Sequence, residues 1–177
     1  MGQTKVYPPV KLFAAVMISD KGVWSNILDK LENLYSKSDL QMDWYSFHHS
    51  DYYKEEMGEG LSKRMISFSD LIWAEKISDI KLTTNDLEKD FSKDGKRIVN
   101  IDPGYLTASK IVLATTKNYS HRIYLGRGIF GDVHLKYQKH QFQANEWTYP
   151  DYKEPLVIDF FEKVRNKYMT QLSNYKL

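Results

Sequence analysis

Lys11–Ser19 reads KLFAAVMIS, an apolar run bounded on its far side by Asp20-Lys21-Gly22. A continuous apolar run of this length marks a β-strand covered on both faces. Outward from it, Trp24, Ile27, Leu28, Leu31 and Leu34 recur at helical spacing, which predicts a helix to about Tyr35. Ser36–Leu40 reads as a polar turn, and the aromatic stretch Asp43–His49 (DWYSFHH) as a second strand. Ser50–Gly60 is acidic and carries two glycines, as a loop or a short helix would. Lys63–Phe68 (KRMISF) reads as a third strand. The stripe Trp73, Ile77, Ile80, Thr84, Leu87, Phe91 then steps by 4, 3, 4, 3 and 4, the strongest helix signal in the chain, ended by Asp94-Gly95. Arg97–Ile101 (RIVNI) is a fourth strand, stopped by the turn residues Asp102-Pro103-Gly104.

Residues 11–101 therefore run strand–helix–strand–strand–helix–strand. That order predicts an α+β fold of the ferredoxin-like, split βαβ kind, with two helices on one face of an antiparallel sheet. Lys110–Thr116 (KIVLATT) is a strand or a short helix, and its Ile, Val and Thr content favours the strand. Arg122–Leu125, Asp132–Gln138 and Gln141–Ala144, with Gly126, Gly128 and Gly131 between them, predict a β-meander. Trp147–Lys153 is a connector, and Pro155 opens a final helix with the stripe Val157, Phe161, Val164, Tyr168, Leu172. No flexible linker separates the parts, so one domain is expected: a core over 11–101, a meander extension over 102–154 and a helix over 155–175.

The chain has 177 residues and no cysteine, which excludes disulfides, thiolate zinc sites, iron–sulfur clusters and a cysteine nucleophile. No run approaches the roughly 18 apolar residues of a membrane helix, and Met1–Pro9 lacks the apolar segment of a secretory leader. A soluble, cytoplasmic protein is expected. The net charge of +2 conceals an uneven distribution: residues 20–95 hold 10 basic and 16 acidic side chains, and residues 96–140 hold 8 basic and 2 acidic.

Four stretches beyond the first strand are distinctive: Ile80–Glu88 (IKLTTNDLE), Val99–Leu106 (VNIDPGYL), Thr116–Gly126 (TKNYSHRIYLG) and Trp147–Tyr152 (WTYPDY). With Lys11–Ser19 they resemble a prokaryotic family of unknown function, over about Lys11 to Arg165. Members of that family are often labelled "GTP-binding protein" in genomes. The resemblance supplies no catalytic residues. The residues themselves argue against a conventional GTPase. No GxxxxGK[ST] phosphate loop exists, Gly126-Arg127-Gly128 lacks the following Lys-Ser/Thr, and Thr116-Lys117-Asn118-Tyr119 lacks the aspartate of a guanine-reading motif.

The basic, aromatic stretch Lys117–Lys139 is the first candidate surface. It carries Lys117, Arg122, Arg127, Lys136 and Lys139 against Asp132 alone, interleaved with Tyr119, Tyr124, Phe130 and Tyr137. Cations attract phosphate, aromatic faces stack bases, and Gly126, Gly128 and Gly131 let backbone amides approach an anion. The competing reading is a solvated hairpin with alternate residues in the core. Asn100 and Asp102, two apart on a strand end with Tyr105 nearby, suit a hydroxyl or a hydrated metal, although ordinary turn chemistry is the favoured reading of these residues alone. Lys81, Asn85 and Glu88 share one helix edge, from which Lys81 reaches either a pocket or a surface partner. His48, His49, Asp51, Glu55 and Glu56 have metal-ligand types without metal-ligand spacing.

Ser120-His121 lacks a nucleophile elbow, so His121 is read as a general base or phosphate ligand, with Asp102 as its partner. The reading that leads is a binder of a phosphorylated, nucleotide-like molecule. It would use Lys117, Tyr119, Arg122, Tyr124 and Arg127 for phosphate and base, and Asp102 for a ribose hydroxyl. The alternatives are a metal-assisted or His121-dependent phosphoester enzyme and a noncatalytic protein or RNA module. Nucleic acid is the less favoured partner, because the sequence pI of 8.5 falls below that of a basic domain.

Overall fold

The computed structural model describes residues 2–3, 5–48, 53–93 and 95–175. Eleven strands and four helices follow one another as β1 (Val10–Ile18), α1 (Trp24–Leu34), β2 (Ser38–Gln41), β3 (Tyr45–Ser46), α2 (Lys54–Met57), β4 (Ser62–Ile72), α3 (Ile77–Asp90), β5 (Ser92–Lys93), β6 (Lys96–Arg97), β7 (Val99–Leu106), β8 (Lys110–Thr115), β9 (Arg122–Gly126), β10 (Ile129–Gln138), β11 (Gln141–Ala144) and α4 (Pro155–Ser173). Nine strands form one antiparallel sheet in the order β11-β10-β8-β7-β1-β4-β2, with β3 also on β4 and β9 also on β10. β5 and β6 form a separate hairpin. Among the described residues no helix is long and apolar enough to cross a membrane.

β1 lies in the middle of the sheet, and every one of its residues is buried. Leu12, Ala14, Val16 and Ile18 pack under Ile27 and Leu31 of α1 and Ile77, Ile80 and Leu87 of α3. Phe13 and Ala15 point to the other face, where α4 supplies Val157, Phe160, Phe161, Val164 and Tyr168. The Phe13 and Phe161 rings meet edge to face with centroids 4.9 Å apart. The C-terminal helix is thus the second cover that an unbroken apolar strand requires.

Two departures from the sequence expectation adjoin one another, and the first has its cause in buried charge. The expected polar turn at Ser36–Leu40 holds the strand β2, and the expected strand at Asp43–His49 is reduced to Tyr45–Ser46. The polar stretch enters the sheet because Asp39 meets Lys11, which is fully buried in β1. Lys11 Nζ donates to Asp39 Oδ2 at 2.6 Å and to Gln171 Oε1 of α4 at 2.8 Å, and Ser67 Oγ donates to Asp39 Oδ1 at 2.6 Å. A charged side chain inside a strand therefore ties sheet to helix.

The third departure is at Asp102-Pro103-Gly104. Rather than turning, the chain stays extended through Leu106, and β7 pairs with β1 along its whole length. Its pairing with β8 covers only Gly104–Leu106, against Leu113–Ile111. Strand residues direct both main-chain groups alternately to one edge and the other. Ile101 turns its pair toward β8 beyond the last paired residues, and Pro103 shares that parity but sits opposite Ala114 in the register. The missing N–H of Pro103 denies the Ala114 carbonyl a ladder bond, and the β7–β8 pairing ends at this point. At Gly104 a side chain has no room: a Cβ there would lie 2.5 Å from the Phe13 ring and 2.6 Å from the Val112 carbonyl oxygen.

Gly104→Ala is expected to destabilise the fold by about 1–3 kcal/mol through overpacking. The measurement is the urea midpoint at constant m-value. An unchanged midpoint would contradict the crowding.

Candidate functional site

The cleft opens where β7 and β8 part. α3 lies across the gap, and two of its side chains satisfy the strand edge that β8 leaves bare. Lys81 Nζ donates to the Ile101 carbonyl at 2.9 Å, and the Ile101 amide donates to Glu88 Oε1 at 2.6 Å. Lys81 and Glu88 are seven residues apart, on one helix face, and both are buried. Glu88 also accepts from Arg97 Nη1 at 2.5 Å. Burial pushes its carboxyl above the ordinary range, despite Lys81 and Arg97.

Two connected chambers occupy the gap. The inner one, about 190 Å³, is lined by Lys81, Asn85, Arg97, Asn100 and Asp102 on one side and residues 113–117 with Asp132 on the other. The outer one, about 360 Å³, has an aromatic wall of Tyr119, His121 and Trp147, with Lys63 and Asp151 beneath. Tyr53, Asn100, Asp102, Lys117 and Tyr149 line both.

Asp102 stands at the junction. Lys81 Nζ donates to its Oδ1 at 3.0 Å, and Asn100 Nδ2 donates to its Oδ2 at 2.8 Å. Burial opposes its ionisation, but Lys81, Lys63 and these hydrogen bonds prevail and hold its pKa below the usual carboxylate value. Lys63 Nζ in turn reaches Asp151 Oδ2 at 2.6 Å, and Tyr45 Oη donates to the same oxygen at 3.1 Å.

The outer wall is built on Asp132, which β10 buries at its centre. Arg122 Nε donates to Asp132 Oδ2 at 2.8 Å, His121 Nε2 lies 3.4 Å from the same oxygen, and His134 Nδ1 lies 3.2 Å from Oδ1. The Tyr149 amide donates to His134 Nε2 at 3.2 Å, which assigns the ring proton to Nδ1, facing the carboxylate. Burial lowers the His134 pKa, so this imidazole is neutral at pH 7. Burial opposes the Asp132 charge as well, and His134 and Arg122 overcome it. His121 is stacked between Trp147, at 5.0 Å between centroids, and Tyr119, at 6.0 Å.

The structure brings together Lys81, Asn85, Asn100, Asp102, Lys117, Tyr119, His121 and Arg122. It leaves out four residues named from the sequence. Tyr105 lies further along β7 and packs at the edge of the core under α1 and α3. Tyr124 packs on Phe130, Gly126 ends β9, and Arg127 lies in the turn to β10, where its guanidinium pairs with Asp79 of α3. Arg122 lines the cleft with its guanidinium already engaged. Its three nitrogens donate to Asp132, the Lys117 carbonyl and Tyr149 Oη, and its side chain is 3% exposed. The carboxylate facing His121 is Asp132 rather than Asp102. His49 and Asp51 lie outside the described residues. Glu56 pairs with Arg97, His48 is exposed, and among the described residues no three His, Cys, Asp or Glu side chains are grouped to hold a metal ion.

Sequence reasoning passed over Asp132, His134, Trp147 and Tyr149. Asp132 and His134 carried a usable signal: two ionisable residues two apart in an otherwise apolar strand face one side and need a common partner.

A family model covers residues 8–168, which include the whole cleft. The chain belongs to the family described as Domain of unknown function (DUF4416). No curated protein and no solved structure matches it. Membership in DUF4416 names no reaction, so the chemistry rests on the cleft.

The depressed carboxylates set the acid limit of stability. Asp102, Asp132 and Asp39 have folded-state pKa values below the ordinary 3.8. Their contribution is complete above the unfolded value and is lost as pH falls through the folded ones. Glu88, raised by burial, acts in the opposite sense. Asp132→Asn is expected to lower stability at pH 7 and to flatten its decline as pH falls below the ordinary carboxylate value, as read from urea midpoints. An unchanged acid limb would contradict this assignment.

Proposed function

We propose that this protein binds a nucleoside-like small molecule in the cleft between β7 and β8. The observation that carries the reading is the junction. Asn100 and Asp102, paired with each other, with Asp102 also held by Lys81, face both a polar chamber and an aromatic one. Such a junction suits the hydroxyl groups of a sugar. The rings of Tyr119, His121 and Trp147 suit a planar or apolar ring. The meander contributes this wall rather than a phosphate clamp, because Arg122 and Arg127 already hold carboxylates. Charge balance favours a ligand with little charge of its own: Lys81 faces Asp102, Lys63 faces Asp151 and Arg122 faces Asp132.

The fold reading belongs with this one. The strand order β7-β1-β4-β2, antiparallel at each step, with α1 and α3 over one face, supports a ferredoxin-like first half to which β8–β11 are added.

A thermal-shift panel of nucleosides and nucleotides tests the function. At least one nucleoside is expected to raise Tm, since a ligand of the native state stabilises it. Tyr119→Ala, at a side chain 58% exposed, is expected to weaken that binding about tenfold in calorimetry, in keeping with ~1–3 kcal/mol per stacked base. A well-folded sample that no nucleoside shifts would overturn the reading.

A further inference from the structure

Asp132 faces two imidazoles, and they differ in how much of each ring is spent. His134 is buried, turns Nδ1 to the carboxylate and accepts the Tyr149 amide at Nε2, so both of its nitrogens serve the fold. His121 turns Nε2 to the same carboxylate at 3.4 Å. That nitrogen is buried without a hydrogen bond of its own, and the charge of Asp132 assigns it the ring proton. Nδ1 is left as the acceptor. It is not buried, and among the described residues it bonds to nothing. The Trp147 and Tyr119 rings lie 15° and 12° from the imidazole plane and hold its orientation. His121 therefore meets a guest of the outer chamber by its edge, through Nδ1. An imidazole with a carboxylate behind one nitrogen and a cavity before the other is the arrangement of a general acid–base group.

Asp102 lines the same chamber. Burial opposes its charge, and Lys81, Lys63 and Asn100 outweigh burial, so it is a carboxylate at pH 7. Lys81 and Asn100 each fix one of its oxygens, and its side chain is still 27% exposed. With the sugar of a nucleoside at Asp102 and its ring on the wall that holds His121, the bond joining sugar to ring spans the interval between carboxylate and imidazole. Breaking that bond places positive charge on the sugar and calls for a proton on the departing base. A fixed negative charge answers the first need and an open imidazole edge the second.

We propose that the cleft hydrolyses the N-glycosidic bond of a nucleoside, with His121 as general acid, Asp102 stabilising the sugar cation and Asp132 orienting His121. This rests on the nucleoside reading above and adds an activity to it. His121, protonated at Nδ1, gives that proton to the departing base as the C1′–N bond breaks and its electron pair leaves with the nitrogen. The oxygen of a water molecule forms the new bond to C1′. The surplus proton of that water leaves through solvent and one proton returns to Nδ1, so nucleoside and water become free base and free sugar with no proton gained or lost. No oxidant or reductant is needed.

The test incubates the full chain with uridine, cytidine, adenosine, guanosine and inosine and follows free base by chromatography, with calorimetry of binding alongside. At least one nucleoside is expected to release its base. His121→Gln and Asp102→Asn, each checked for folding by Tm, are expected to lower kcat for it about a hundredfold or more, the scale of a lost general acid. Asp132→Asn, assayed where it remains folded, is expected to lower kcat with KM little changed, because it acts through His121. A nucleoside that binds without release of base overturns the activity and leaves the binding reading standing. Release undiminished in either His121→Gln or Asp102→Asn overturns the roles assigned to these side chains. If no nucleoside binds and none is cleaved, both readings fall.

Discussion

Two hydrogen bonds from α3 to a single residue, Ile101, hold the sheet open. Without them the edge of β7 would have to pair with β8 or bury two main-chain groups unpaired, at about 1–3 kcal/mol each. Lys81 and Glu88 take the place of the missing strand. Both carry charge, so each needs a partner in turn. Arg97 meets Glu88, Asp102 meets Lys81, and Asn100 completes Asp102. The floor of the cleft is the end of this chain of obligations. Its polar groups are placed by the need to keep two strands apart.

The same logic governs the outer wall. A carboxylate buried in β10 gathers Arg122 and two imidazoles, and Arg122 then fixes Tyr149 and the Lys117 carbonyl. Two of the cations that look like an anion-binding patch in the linear sequence, Arg122 and Arg127, are each paired with a carboxylate. Net charge over a segment records where cations lie along the chain, whereas availability depends on the carboxylates folding brings beside them. Asp132, the lone acid within Lys117–Lys139, neutralises Arg122, while the more distant Asp79 neutralises Arg127.

Much of the fold was legible because it rests on local periodicity. The apolar run of β1, the helical stripe of α3 and the glycine-punctuated meander each declare themselves within a short window. Three features did not. β2 is polar because Asp39 answers Lys11, 28 residues away, and no window of that sequence shows the pair. Asp102-Pro103-Gly104 has turn residues but an extended backbone. Its proline falls where the β7–β8 ladder ends, and its glycine answers the Phe13 ring. Of the site, Lys81, Asn100, Asp102 and His121 were identifiable by residue type and spacing. Trp147 and Tyr149 were not, because a connector places them and nothing periodic marks it.

The short ladder between Gly104 and Leu113 has a thermodynamic consequence. The lips of the cleft belong to strands that are anchored on their outer sides, β7 to β1 and β8 to β10. Narrowing or widening the opening would require sliding or breaking main-chain pairing in the middle of a nine-stranded sheet. The cavity is therefore pre-formed. A guest has little backbone to order on entry, and the entropy of association falls mainly on the guest and on rim side chains such as Tyr119. Selection by such a cleft is by shape first: a molecule too thick for the space between two strands is refused before its hydrogen bonds are read.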